Sequence, residues 1–124
     1  MSKSILIVED EETLRESIKR IFTKEGYAVD AAESAEKGFA LLETSVYDVI
    51  ISDIVMPRLS GFELFKRVKA QPATASIPFL FITGFQDDRV LAEARKVGVF
   101  GILRKPVDIE QIESRLRSLT GSRE

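Results

Sequence analysis

Val49-Ile50-Ile51-Ser52-Asp53-Ile54-Val55-Met56-Pro57 is the stretch from which the rest of the chain can be read. An apolar run ends on one carboxylate, and Pro57 and Gly61 turn the chain soon after. A short continuous apolar run bounded by turn residues reads as a strand buried on both faces. Asp53 then stands where that strand leaves the core. Taken alone, it is as readily a loop carboxylate or a helix cap as a functional group.

Working outward, Ile5-Leu6-Ile7-Val8 is a second run of the same kind, followed at once by Glu9-Asp10-Glu11-Glu12. Part of that acidity serves the helix that starts here. Asp10 is a plausible N-cap, and acids in a first turn suit the helix dipole. Leu14, Ile18, Ile21 and Phe22 fall on one helical face, closed by Gly26. Tyr27 to Ala32 reads as a modest strand. Ser34 caps a second helix to about Glu43, although Gly38 in its middle costs about 1 kcal/mol. Tyr47 to Ser52 delivers Asp53. Ser60 opens a third helix carrying Leu64, Phe65 and Val68, and Pro72 ends it. Ile77-Pro78-Phe79-Leu80-Phe81-Ile82 reads as a strand with its proline near the start, and it ends on Thr83-Gly84.

Asp87-Asp88 open a fourth helix through about Val97. Gly101-Ile102-Leu103 is a short strand before Arg104-Lys105-Pro106. Asp108 to Gln111 resemble a capping box for a fifth helix with Ile109, Ile112, Leu116 and Leu119 inward. The polar tail from Thr120 to Glu124 is expected to fray. Strands and helices alternate throughout, which predicts an α/β fold with a parallel sheet covered on both faces.

Composition bounds the function. The 124 residues suit one domain, 1–124, with no linker or repeat. The hydrophobic and charged fractions, 44% and 31%, are those of a globular chain, and a net charge of −2 gives no electrostatic case for nucleic acid. The absence of Cys and His removes thiolate chemistry, Cys/His zinc sites and a histidine base together. Four apolar residues before Glu9 are too few for a signal peptide or a membrane span, so the expectation is a soluble cytoplasmic protein.

In open parallel sheets, ligands bind at the carboxyl ends of the strands. Here those ends carry Glu9 and Asp10, Asp53, Thr83 and Lys105. Three converging carboxylates repel one another unless a cation joins them. All-oxygen donors in an open, partly built site point to Mg2+. A cation, a nucleophilic carboxylate, a lysine and a hydroxyl are the equipment for phosphoryl transfer to an aspartate. An ionised carboxylate needs no general base.

These residues carry a resemblance. Ile5 to Glu11, Ser52-Asp53-Ile54-Val55-Met56-Pro57, Gly61, Phe81-Ile82-Thr83-Gly84 and Lys105-Pro106 together resemble a bacterial two-component response-regulator receiver domain of the chemotaxis type. The resemblance spans essentially the whole chain. It implies a flavodoxin-like doubly wound (βα)5 fold with a five-stranded parallel sheet of order 2-1-3-4-5. It implies Asp53 as phosphoacceptor, with Mg2+ held by Asp10, Asp53, the backbone carbonyl of Val55 and Glu9. Glu9 stands where Asp is commoner. Thr83 and Lys105 would contact the phosphoryl group, and the Lys105-Pro106 bond would be cis. Ile102 occupies the place of a frequent Tyr or Phe switch, Phe100 is unusually bulky for its loop, and Gly84 replaces a common Ala.

The function implied is that of a signalling phosphoacceptor rather than an enzyme, one that assists its own phosphorylation and dephosphorylation. Its donor would be a sensor histidine kinase or a phosphotransfer protein. Its output would run through the face formed by the fourth helix, fifth strand and fifth helix to a downstream protein, as a monomer or weak dimer, without direct nucleic-acid binding. Apolar Val55 and Phe85 would flank the water that hydrolyses the phosphoryl group and slow its loss. Two other functions are weighed. A flavin site would need a loop of backbone donors where Glu9 to Glu12 stand. A receiver-like interaction module that is never phosphorylated would usually lack an acid or the lysine, and neither is missing. A stand-alone regulator and a receiver belonging to a longer protein are both compatible with the chain.

Overall fold

The computed structural model describes residues 3–56, 58–84, 92–93, 95–96, 101–105 and 109–120. Its strands are β1 (Ser4–Val8), β2 (Ala28–Ala32), β3 (Val49–Asp53), β4 (Phe79–Thr83) and β5 (Gly101–Arg104). All neighbours are parallel, in the order β2-β1-β3-β4-β5. The helices are α1 (Glu12–Lys24), α2 (Ala35–Thr44), α3 (Gly61–Ala70) and α4 (Ile109–Thr120), the last being the one the sequence expects as its fifth. Of the helix expected between Asp87 and Val97, the described residues Ala92, Glu93, Arg95 and Lys96 are helical. The remainder lies outside the described residues.

Strand alternation divides the core in two. Ile5, Ile7, Val49, Ile51, Leu80, Ile82 and Leu103 face Ile18 and Phe22 of α1 and Ile112 and Leu116 of α4. Leu6, Val8, Ile50, Phe79 and Phe81 face Leu42 of α2 and Leu64, Phe65 and Val68 of α3. Each large aliphatic or aromatic side chain fully buried this way contributes roughly 1.5–3 kcal/mol. On the second face the rings of Phe65, Phe79 and Phe81 meet edge-on or tilted, with Phe65 and Phe79 centroids 5.2 Å apart.

Ser34 and Ser60 cap α2 and α3 as expected, accepting from the N–H groups of Lys37 and Glu63. Gly38 has a packing reason. A Cβ there would meet a Val8 methyl at 2.8 Å, so its absence lets α2 lie close on β1. Asp10 is not the cap of α1. Glu11 takes that position without a side-chain bond, and its N–H is satisfied by the Glu9 carboxylate instead. β3 includes Asp53 and starts at Val49; Tyr47, buried before it, donates its hydroxyl to Asp30. Thr120 belongs to α4 rather than to a frayed tail. Residues 121–124, Asp108, and the side chains of Ile109 and Leu119 lie outside the described residues.

Candidate functional site

Register assembles the site. Val8 pairs with Ser52, Asp53 with Ile82, and Thr83 with Arg104. The residues at or just past these levels are Glu9, Asp53, Thr83 and Lys105, so one rim receives all four. The carboxylates of Glu9, Asp10 and Asp53 offer oxygens lying within 4.8 Å of one another. Glu9 and Asp53 are buried, at 0% and 5% exposed, while Asp10 opens to solvent. The Lys105 ammonium donates to Asp53 Oδ2 at 3.0 Å and to Glu9 Oε2 at 3.2 Å, and lies 4.0 Å from Glu11 Oε1. The Lys105 N–H donates to the Thr83 carbonyl at 2.7 Å, which fixes the root of the lysine beside β4.

The β3–α3 loop is held as tightly. Ile54 N–H donates to Ile82, and Gly61 N–H donates back to the Ile54 carbonyl at 2.7 Å. Ser52 Oγ donates to the Asp53 carbonyl at 2.8 Å. A Cβ on Gly61 would collide with the Asp53 carbonyl oxygen and sit 2.9 Å from Ile54 Cα, so the start of α3 closes directly against the backbone of Asp53. Arg58, within this loop, adopts a left-handed φ of 67° and pairs with Glu36 at 3.4 Å. That conformation costs roughly 1–2 kcal/mol for a residue with a Cβ, more than an exposed ion pair returns.

Electrostatics follows from burial. Glu9 is pushed up to about 7, chiefly because its carboxylate is out of water and then because Asp53 is negative nearby. The Glu11 N–H and Lys105 oppose this without cancelling it. Burial alone would lower Lys105, but the hydrogen bond and charge of Asp53, followed by those of Glu9, hold it above its ordinary value. Among the described residues, one ammonium faces these carboxylates, which leaves excess negative charge.

Glu9 Oε1 is buried and has no hydrogen-bond partner among the described residues. A buried polar atom of this kind calls for an ion or another donor. An all-oxygen, partly open donor set with an orphaned carboxylate oxygen fits a hard divalent cation such as Mg2+.

Other expected residues fall less centrally. Thr83 ends β4 and is 1% exposed. Val55 is 47% exposed. Ile102 is half-buried and packs against the α2/α3 side of the core. Pro106 with its expected cis bond, Phe100, and Phe85 lie outside the described residues. Arg15 was not singled out by the sequence, yet it binds the Glu9 carbonyl at 2.9 Å. Its signal was a cation at the edge of the apolar stripe of Leu14 and Ile18, one turn after the acids.

Residues 5–117 match the family model of the response regulator receiver domain. The chain belongs to the response-regulator receiver family. The receiver is 32% identical over 117 residues to the transcriptional regulatory protein CrdR of Helicobacter pylori, covering 94% of the chain and 54% of that protein. It spans about half the length of the curated relatives it matches first. Among solved structures it superposes on the chemotaxis response regulator CheY4 of Vibrio cholerae with a TM-score of 0.87, at 29% identity, covering 96% of the chain and 99% of CheY4. It also superposes on the signal receiver domain of a signal transduction histidine kinase from Syntrophus aciditrophicus with a TM-score of 0.88, at 30% identity, covering 99% and 94%. The likeness to CheY4 makes the chemotaxis type one possibility within the family. Among the described residues no helix is long and apolar enough to cross a membrane.

Proposed function

We propose that this receiver takes a phosphoryl group onto Asp53 from a sensor histidine kinase or a phosphotransfer protein. The observation that carries the reading is the meeting of Glu9, Asp10 and Asp53 oxygens within 4.8 Å, with the Lys105 ammonium 3.0 Å from Asp53. In the transfer, an Asp53 oxygen attacks phosphorus and forms the new P–O bond. The bond from phosphorus to the donor's imidazole nitrogen breaks, and its electron pair leaves with the imidazole. No proton is taken from Asp53, in keeping with a chain that has no His.

Glu9, Asp10, Asp53 and the Val55 carbonyl would hold Mg2+, which supplies charge neutralisation at the phosphoryl oxygens. Lys105, already on Asp53, is placed to follow one phosphoryl oxygen as the carboxylate becomes an ester-like acyl phosphate. The Thr83 hydroxyl, at the neighbouring strand end, is the second donor we assign to the phosphoryl group.

The receiver is on this reading a cytoplasmic signalling phosphoacceptor that assists its own phosphorylation and dephosphorylation, not an enzyme acting on other molecules. Residues 1–124 act as a single domain, monomeric or weakly dimeric. Its output face includes β5 and α4 and presents a downstream protein with a surface set by Thr83. Ile102 is stiff at χ1 and already packed on the core, so signalling runs through backbone movement, with Phe100 as a contact, rather than through a swinging aromatic. Exposed, apolar Val55 offers hydrolytic water no polar partner, and with Phe85 it prolongs the phosphorylated state.

The test is intact mass spectrometry after incubation with acetyl phosphate. Wild type should gain one phosphoryl group with Mg2+ and none with a chelator, and Asp53→Asn should gain none. Equal gain by Asp53→Asn would reject Asp53 as the acceptor.

A further inference from the structure

Asp10, the exposed member of the acidic trio, lies between two residues that are closed into a hydrogen-bonded circuit. The Glu11 N–H donates to Glu9 Oε2 at 3.0 Å, the Arg15 N–H donates to the Glu11 carbonyl at 2.9 Å, and Arg15 Nη1 donates to the Glu9 carbonyl at 2.9 Å. The Glu9 N–H is fixed to the Ala32 carbonyl at 3.0 Å, which anchors the circuit to β2. Arg15 thus grips the β1–α1 loop at both ends, through its backbone and its side chain. Although charged and on a surface helix, its side chain is only 13% exposed. It lies along an open groove shared with Ala31, Ala32, Lys37 and Leu41. Its Nε stands 3.7 Å from Glu16 Oε2, outside the acidic trio, so the guanidinium bridges the loop to the flank of α1. A planar fork with several fixed donors suits this double duty better than a lysine ammonium does.

We infer that Arg15 is a positioning residue for phosphoryl transfer: by holding the Glu9 carbonyl it fixes the loop that aims Glu9 and Asp10 at the cation. The inference rests on the Mg2+ reading of the trio. Partners of this kind, which orient ligands without touching the ion, typically govern metal affinity by about 10- to 100-fold.

The experiment uses the full chain as Arg15→Met and Arg15→Lys, without phosphodonor, in two measurements. Calorimetric titration with Mg2+ should show the dissociation constant raised about tenfold in Arg15→Met, with partial recovery in Arg15→Lys. Amide hydrogen exchange in the cation-free protein should accelerate at Glu11 and stay unchanged at Ile50 and Ile51 in β3. A folded Arg15→Met with wild-type Mg2+ affinity and wild-type exchange at Glu11 overturns the inference. Equal acceleration at Glu11 and across β3 also overturns it, because Arg15 would then be serving stability alone. If Arg15→Met does not fold, Arg15→Lys decides by the same two readouts. A wild-type protein that binds no Mg2+ sinks the reading of the trio itself, and exchange at Glu11 in the variants still decides whether Arg15 holds the loop.

Discussion

Gly61→Ala is expected to destabilise the protein by about 3 kcal/mol, the upper end for forcing extra volume into a packed site. The added methyl would run into the Asp53 carbonyl oxygen and the Ile54 Cα, and both are backbone atoms. Backbone on this rim cannot step aside cheaply. Asp53 is a strand residue paired with Ile82, Ile54 N–H is bonded to Ile82, and the Gly61 N–H itself closes on Ile54. Relief would have to come from moving α3 or Asp53, so phosphorylation should slow along with the loss of stability. Urea unfolding should show a lower midpoint with an unchanged slope. Gly84→Ala is the control. Among the described residues its Cβ would meet Lys105 carbons at 3.5 Å or more, an ordinary contact. A change of about 0.5 kcal/mol or less is expected there. Equal effects from the two substitutions would mean that the loop does not close on Asp53 as described.

The second large effect is electrostatic. In the absence of divalent cations the protein should lose stability as pH rises from about 5 to 8. Glu9 is raised in the folded protein to about 7 from an ordinary 4.5, so folding favours its protonated form. The contribution is complete below the unfolded value, shrinks as the unfolded chain releases its proton first, and is gone once pH passes the folded value. The loss is on the order of 3 kcal/mol. Glu9→Gln keeps the shape and cannot ionise. At pH 8 in a chelator it should therefore be more stable than wild type by a similar amount, and near pH 4 the two should agree. Mg2+ should restore wild type at pH 8 and do much less for the variant. Urea unfolding across this range, with chelator and with Mg2+, measures all four arms. Parallel pH profiles for wild type and Glu9→Gln would show that the buried carboxylate is not the source.

The parallel sheet was legible because its runs are short, apolar and bounded. Once the strands are parallel, their carboxyl ends share a rim, and Glu9, Asp53, Thr83 and Lys105 had to meet there. The caps Ser34 and Ser60 were legible for a local reason, since a hydroxyl before an amphipathic run satisfies an orphan N–H of the same helix. Asp10 misled for the same reason. Its residue type and position suit a cap, but the buried Glu9 carboxylate reaches the Glu11 N–H first. Gly38 looked like a fault in α2, because its cause, the methyls of Val8, lies on another element. Arg15 showed in sequence only as a cation one turn after the acids, because its partner is a backbone carbonyl, which leaves no trace in residue type.

The central claim is that the phosphoryl group goes to Asp53 and to no other acid of the cluster. Reductive trapping reads this directly. Borohydride converts an aspartyl phosphate to homoserine, and peptide mass spectrometry locates the converted residue. After treatment with acetyl phosphate and Mg2+, homoserine should be found at position 53 alone. Homoserine at position 10, or none at position 53 in protein whose intact mass shows a phosphoryl group, would contradict the account.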